Sequence, residues 1–168
     1  METPDVRFRP AERRDADGLH KNLFSGKSLT TVTQDLLSDI EKMEQGRMIR
    51  VVGECKGEPI SNVQVYYSKN HPLFNHRAEM HTVHVSREYH RKGVATAMLK
   101  YALGEAKRDQ VGIVTVWVDG DNIPALNLYQ KCGFSEFGRL ERGIKKPDRF
   151  SDYVLMKKDL RDIVKSCG

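Results

Sequence analysis

Residues 79–107 read EMHTVHVSREYHRKGVATAMLKYALGEAK, and the fold follows from where the periodicity changes within them. Glu79 to Val85 alternates in side-chain character as a strand does. On a regular strand, Glu79, His81, Val83 and Val85 share one face. Ser86 to Lys92 is polar and cationic. From Gly93 onward the apolar residues take helical spacing: Val94, Met98 and Ala102 form one stripe, with Leu99, Leu103 and Ala106 beside it. A strand, a basic loop with a glycine and a helix start together make an anion site. The first amides of a helix lack intrahelical partners, and the helix dipole favours negative charge there. Gly93 lets backbone approach a phosphate without a Cβ in the way. His90, Arg91 and Lys92 add donors and positive charge.

A second block stands downstream. Residues 122–134 read NIPALNLYQKCGF. Short glycine motifs occur by chance, so the pair of blocks carries more than either one. Together they resemble the GNAT N-acetyltransferase superfamily. His90-Arg91-Lys92-Gly93-Val94-Ala95 is similar to that family's acyl-CoA pyrophosphate loop, with His90 standing where Gln or Arg is usual. Asn122, Ala125, Leu128, Tyr129, Gly133 and Phe134 match its later motif. Residues 138–160, GRLERGIKKPDRFSDYVLMKKDL, resemble the branch holding phosphinothricin and small-amine acetyltransferases.

Outward from these blocks the chain reads as one α/β (α+β) domain over 1–168. Val6 to Arg9 is a short strand stopped by Pro10. Asp15 to Leu23 is a modest helix, broken by Ser25, Gly26 and Lys27. Thr33 reads as the N-cap of a helix over Gln34 to Gln45, with Leu36, Leu37, Ile40 and Met43 on one face and Gly46 as its stop. Met48 to Cys55 and Ile60 to Ser68 form a hairpin around Lys56-Gly57-Glu58. Residues 69–77 are a loop. Ile113 to Val118 is apolar and β-branched and is expected to be buried. Asp119 to Asn122 is a turn and cap, Pro124 suits a first helical turn, and Gly133 ends that helix. Ser135 to Ile144 and Tyr153 to Lys157 pair across a turn containing Pro147 and Asp148. The resemblance implies a mixed, mostly antiparallel sheet, helices on both faces, and a splayed central strand pair.

Composition narrows the class. Hydrophobic residues make up 39% and charged residues 30%, which excludes a disordered chain. No apolar run is long enough to span a membrane, and METPDVRFRP holds no signal-peptide core. Cys55, Cys132 and Cys167 are odd in number and widely spaced, so they read as free thiols in a reducing, cytoplasmic setting and not as a metal site. The net charge of +5 raises nucleic acid as a partner. However, the basic residues are interspersed with acids and no nucleic-acid motif is present.

The candidate chemistry follows from the resemblance. It implies acetyl-CoA as co-substrate and an amine acceptor. Val83 and Val85 would pair through their backbone with the pantetheine arm as an added strand. His90, Arg91, Lys92, Gly93, Val94, Ala95 and Thr96 would hold the pyrophosphate, and Asn122 would support the cofactor arm as well as cap a helix. Glu79 matches a general base, and equally reads as a solvated or salt-bridged strand-end carboxylate; His81 is the fallback. Tyr129 matches the phenol close to the thioester sulfur, able to give a proton to the leaving thiolate. Cys132 reads as an inert buried thiol. The acceptor reads as the primary amine of a small molecule such as an amino acid or amine toxin. Protein N-termini or lysines, or a non-catalytic acyl-CoA sensor, are the alternatives, and the oligomeric state stays open, a homodimer included.

Overall fold

The computed structural model describes residues 4–161; Cys167 lies outside them. In chain order the elements are β1 (Arg7–Pro10), α1 (Ala16–Asn22), α2 (Leu29–Glu44), β2 (Met48–Cys55), β3 (Glu58–Tyr67), β4 (Arg77–Val85), α3 (Val94–Arg108), β5 (Ile113–Asp119), α4 (Ile123–Lys131), β6 (Ser135–Lys145) and β7 (Phe150–Asp159). The sheet order is β1-β2-β3-β4-β5-β7-β6. Only β4 and β5 run parallel among the described pairs. A parallel pair needs a crossover connection, and α3 supplies it.

Two apolar clusters place the helices. Met98, Leu99, Ala102, Leu103 and Ala106 of α3 pack on Val63, Val65, Met80, Val114 and Val116, with Tyr129 and Phe134 joining from α4 and beyond. Leu19 of α1 and Val32, Leu36 and Ile40 of α2 meet Val52 on the other face. The helical stripe read in α3 is thus the buried one, and helices do cover both faces.

Local departures have physical reasons. α2 begins at Leu29, five residues before the expected start, because Ser28 is the cap: its Oγ accepts from the Thr31 N–H at 3.1 Å. Thr33 sits inside the helix and donates to the Leu29 carbonyl at 2.8 Å. Asp39 is buried with Leu36 and Ile40 on the inward face, while Leu37, expected on that face, is exposed. β5 is not buried throughout. Val114, Val116 and Val118 point into the core, while Thr115 and Trp117 are half-buried on the opposite face. α4 ends as read. Gly133 takes φ +87°, its N–H bonds to the Gln130 carbonyl, and the Phe134 N–H bonds to the Tyr129 carbonyl. That double closure requires a left-handed residue, for which glycine is cheapest.

Candidate functional site

β4 and β5 are paired only as far as Met80 and Val116. Beyond that point β4 follows β3 to Val85, and β5 follows β7 to Asp119. The two central strands therefore part and leave a wedge in the sheet. The residues expected at the site cluster along this wedge and at its mouth.

One expectation about β4 fails in an instructive way. Gln64 of β3 stands opposite His81, and Asn62 stands opposite His84, so β4 carries one extra residue between them. Thr82 has φ +51°. This is a β-bulge, and it reverses the alternation. Glu79 and His81 share one face, with Glu79 Oε1 3.2 Å from His81 Nε2. Val83 and Val85 lie instead against the α3 core, on the side of Ala78 and Met80. The four residues do not share a face.

The α3 end of the wedge opens into a cavity of about 470 Å³. Val83, Val85, His90, Arg91, Gly93, Val94, Ala95 and Thr96 line it, with Tyr89, Pro124, Ala125, Leu128 and Lys131. Lys92 is not among them; its ammonium stands 5.5 Å from the Tyr89 ring. Gly93 caps α3 with φ +78°, and a Cβ there would meet open space. Glycine is thus demanded by the backbone angle and not by crowding from the protein itself. The first bond into the helix start runs from the Ala97 N–H to the Gly93 carbonyl, so the amides of Val94, Ala95 and Thr96 have no intrahelical acceptor. With Arg91 and Lys131 alongside, this cavity has the donors and charge for a diphosphate.

His90 Nε2 lies 2.8 Å from the Val85 carbonyl oxygen. A carbonyl only accepts, so Nε2 carries the proton. The Ser86 N–H bonds to the Ile60 carbonyl, which turns the N–H and C=O of Val85 away from β3 and toward the wedge. The carbonyl half of that backbone edge already has His90 as its partner.

The interior of the wedge is a second cavity of about 270 Å³. Glu79, His81, Thr82, Val83, His84, Trp117, Asp119, Asn122, Tyr129 and Tyr153 line it. Tyr129 is 6% exposed and its ring meets Phe134 edge-on, with centroids 5.5 Å apart. Its hydroxyl makes no hydrogen bond to a described residue. Burial, followed by the nearby Cys132, pushes the phenol up to about 12. It therefore stays protonated at neutral pH. Asn122 Oδ1 accepts from the Ala125 N–H at 3.2 Å and caps α4. Cys132 is buried, and burial pushes its thiol up, away from nucleophilic use. Among the described residues no His, Cys, Asp and Glu side chains form a metal-binding group.

Nothing in the sequence places Trp117, Tyr153, His84 or Thr82 at this cavity. Trp117 and Tyr153 stack at 4.4 Å and wall the side bearing Glu79. Burial, and then the charge of Glu79, raise the Tyr153 phenol. His84 meets Phe24 edge-on at 5.3 Å. Nothing local signals these roles, because each depends on which strands end up adjacent.

Comparison with known proteins accords with this geometry. Residues 22–134, more than half of the chain, match the Acetyltransferase (GNAT) family. Streptothricin acetyltransferase of Escherichia coli is 28% identical over 67% of this chain and 60% of its own length. This chain thus spans less than two thirds of that relative. YwnH of Bacillus subtilis (strain 168), which carries a provisional phosphinothricin acetyltransferase name, is 25% identical over 78% of this chain and 85% of its own. Among solved structures, yncA of Salmonella typhimurium, determined with acetyl-CoA, superposes with a TM-score of 0.80 at 17% identity, covering 95% of this chain and 96% of that one. An N-acetyltransferase of Staphylococcus aureus Mu50 gives 0.78 at 18% identity, covering 94% and 99%. At these identities the structural likeness speaks for the fold.

Proposed function

The chain belongs to the acetyltransferase (GNAT) family, and from that premise we propose that it moves the acetyl group of acetyl-CoA to the primary amine of a small molecule. The observation that carries the proposal is the wedge between β4 and β5, which joins a cationic cavity at the α3 start to an interior lined by Glu79 and Tyr129. The amides at the α3 start would take the pyrophosphate of the co-substrate, and the free N–H edge at Val83 and Val85 would take its pantetheine arm. The thioester would then lie in the wedge.

Each residue has one task in the reaction. Glu79, directly or through a water, takes a proton from the acceptor ammonium, freeing its lone pair. The nitrogen attacks the thioester carbon, and a C–N bond forms as the C–S bond breaks. His81, 3.2 Å from Glu79, orients the carboxylate. Tyr129 donates to the sulfur as it gathers charge. A phenol held near 12 is a weaker acid than an ordinary thiol at about 8.5, so its help to the departing sulfur is a hydrogen bond to the developing charge, with the proton following only as the thiolate leaves.

Amine-dependent thiol release from acetyl-CoA tests the proposal, measured over a panel of amino acids, polyamines, small amines and N-terminal peptides. Release with a small amine supports it. Tight acetyl-CoA binding without release from any amine would favour a sensor, and release with peptides alone would move the acceptor to protein.

A further inference from the structure

A third cavity, of about 260 Å³, lies between α1–α2 and the sheet. Phe24, Lys27, Val32, Asp35, Ser38, Asp39, Lys42, Arg50, Gln64, Tyr66 and Thr82 line it. Thr82 also lines the wedge interior, so the two cavities meet at the bulge. Tyr66 meets His81 edge-on at 5.3 Å, which links this cavity to the Glu79–His81 pair. On the proposed reading, the acceptor enters from this side.

The charges of the cavity select what enters. Three cations, Lys27, Lys42 and Arg50, face two carboxylates, Asp35 and Asp39. Asp39 is 3% exposed and already accepts from four donors: Tyr66 and Lys42 on Oδ1, Arg50 and Gln64 on Oδ2. It has no lone pair to offer an ammonium. Arg50 is committed to Asp39 and to Asn62 Oδ1. The two lysines are different. Lys27 makes one bond, to Asp35 at 3.0 Å, and Lys42 one, to Asp39 at 3.3 Å. An ammonium has three N–H groups. Each lysine therefore keeps donors for a ligand, beside the rings of Phe24 and Tyr66 respectively. Burial and then Lys27 push the neighbouring His84 imidazole down, which disfavours its charged form.

We propose that this cavity is the acceptor's anchoring subsite, and that it takes the anionic group of a small zwitterionic amine, a carboxylate or phosphinate held by Lys27 and Lys42. The inference rests on the acyl-transfer reading of the wedge. An amino-acid-like acceptor would set its anion on the two ammoniums and extend its amine past Thr82 toward Glu79. A polyamine would bring further positive charge to a cavity that already has an excess of one. The volume also falls below the roughly 300–1,000 Å³ usual for drug-sized ligands, which favours something of amino-acid size.

The test is thiol release from acetyl-CoA with the twenty amino acids and phosphinothricin, each beside its carboxamide where one exists, and with putrescine and spermidine. The subsite predicts that an acid is preferred over its amide by roughly tenfold or more in kcat/KM, the scale of one hydrogen bond to a charged group. Lys27→Met and Lys42→Met should each erode that preference through KM, and Lys27→Arg should keep it. Equal rates for acid and amide, or preference for a polyamine, would overturn the subsite while leaving acyl transfer standing. No release with any amine, despite calorimetric binding of acetyl-CoA, would overturn both.

Discussion

Asn62 donates from Nδ2 to the Thr82 carbonyl oxygen at 3.0 Å, and this bond ties the bulge of β4 to the buried face of β3. Arg50 Nε donates to Asn62 Oδ1 at 2.8 Å, which fixes which end of the amide faces Thr82. Arg50 in turn holds Asp39 of α2 at 3.0 Å. A chain of buried polar groups thus runs from α2 to the residue at which β4 leaves β5. Asn62→Leu would strand the Thr82 carbonyl and the Arg50 Nε–H in the interior. The expected loss is about 2–4 kcal/mol of stability by urea denaturation, from two unpaired groups at about 1–3 kcal/mol each with partial relaxation. Thr82→Gly is expected to act oppositely. It removes a left-handed penalty of about 1–2 kcal/mol for a β-branched residue, offset by roughly 0.5–1 kcal/mol of glycine entropy. A net gain of about 0.5–1 kcal/mol should result, and a loss would mean that the Thr82 side chain itself stabilises the bulge.

His90 joins the loop before α3 to the end of β4 through the Val85 carbonyl. His90→Ala would release that clamp. Acetyl-CoA affinity by calorimetry should fall about fivefold, the worth of one net hydrogen bond of about 1 kcal/mol. His90→Gln keeps an N–H donor and should hold most of the affinity. Tighter binding by His90→Ala would mean that His90 competes with the co-substrate for the carbonyl.

Gly93→Asp opposes an anion at the α3 start in two ways. It places a carboxylate beside the free amides and a side chain on a backbone at φ +78°. Acetyl-CoA affinity should fall by roughly 100-fold or more, while circular dichroism shows the fold retained. Unchanged affinity in a folded variant would remove the pyrophosphate from this loop.

Lys146 holds the turn between β5 and α4 from across the sheet edge, at 2.9 Å from Asp119 and 2.7 Å from Asp121. That ammonium, followed by the Asp121 N–H, lowers the Asp119 carboxyl to about 2. A depressed carboxylate stabilises the fold above its ordinary value near 3.8, and the contribution disappears as pH falls through 4 toward 2. In Lys146→Met, NMR titration should find Asp119 moved up toward the ordinary range. A value still near 2 would assign the depression to the Asp121 amide.

Much of this was legible because it is local. The α3 stripe, the Asn122 cap and the Gly133 stop each depend on residues within a turn or two of one another, and all three stand as read. The parting of β4 from β5, implied by family resemblance, is present as well. What was not legible is long-range. The bulge at Thr82 answers to Asn62, twenty residues away, and a β-branched residue gives no hint of a left-handed backbone. Asp39 looks like a surface residue until Arg50 from another element needs it. The Ser28 cap is hidden in the sequence because Thr33 offers the same hydroxyl closer to the apolar run.

Tyr129 offers the sharpest test of mechanism. Tyr129→Phe keeps the ring against Phe134 and loses only the hydroxyl, which no described residue holds. Acetyl-CoA binding should therefore change little, while turnover falls by roughly 10–1000-fold, the range expected when a positioned acid is removed. The phenol sits near 12, so its ionisation should leave no descending limb in the wild-type pH profile below about 11. Any limb seen there belongs to another group and should survive in Tyr129→Phe. A late proton transfer adds a second signature. An acyl donor whose leaving thiol is more acidic needs less help, so the loss in Tyr129→Phe should shrink with it. An equal loss with both donors would recast Tyr129 as a positioning residue. Full activity with acetyl-CoA, where chemistry limits the rate, would remove it from the reaction and leave water to protonate the thiolate.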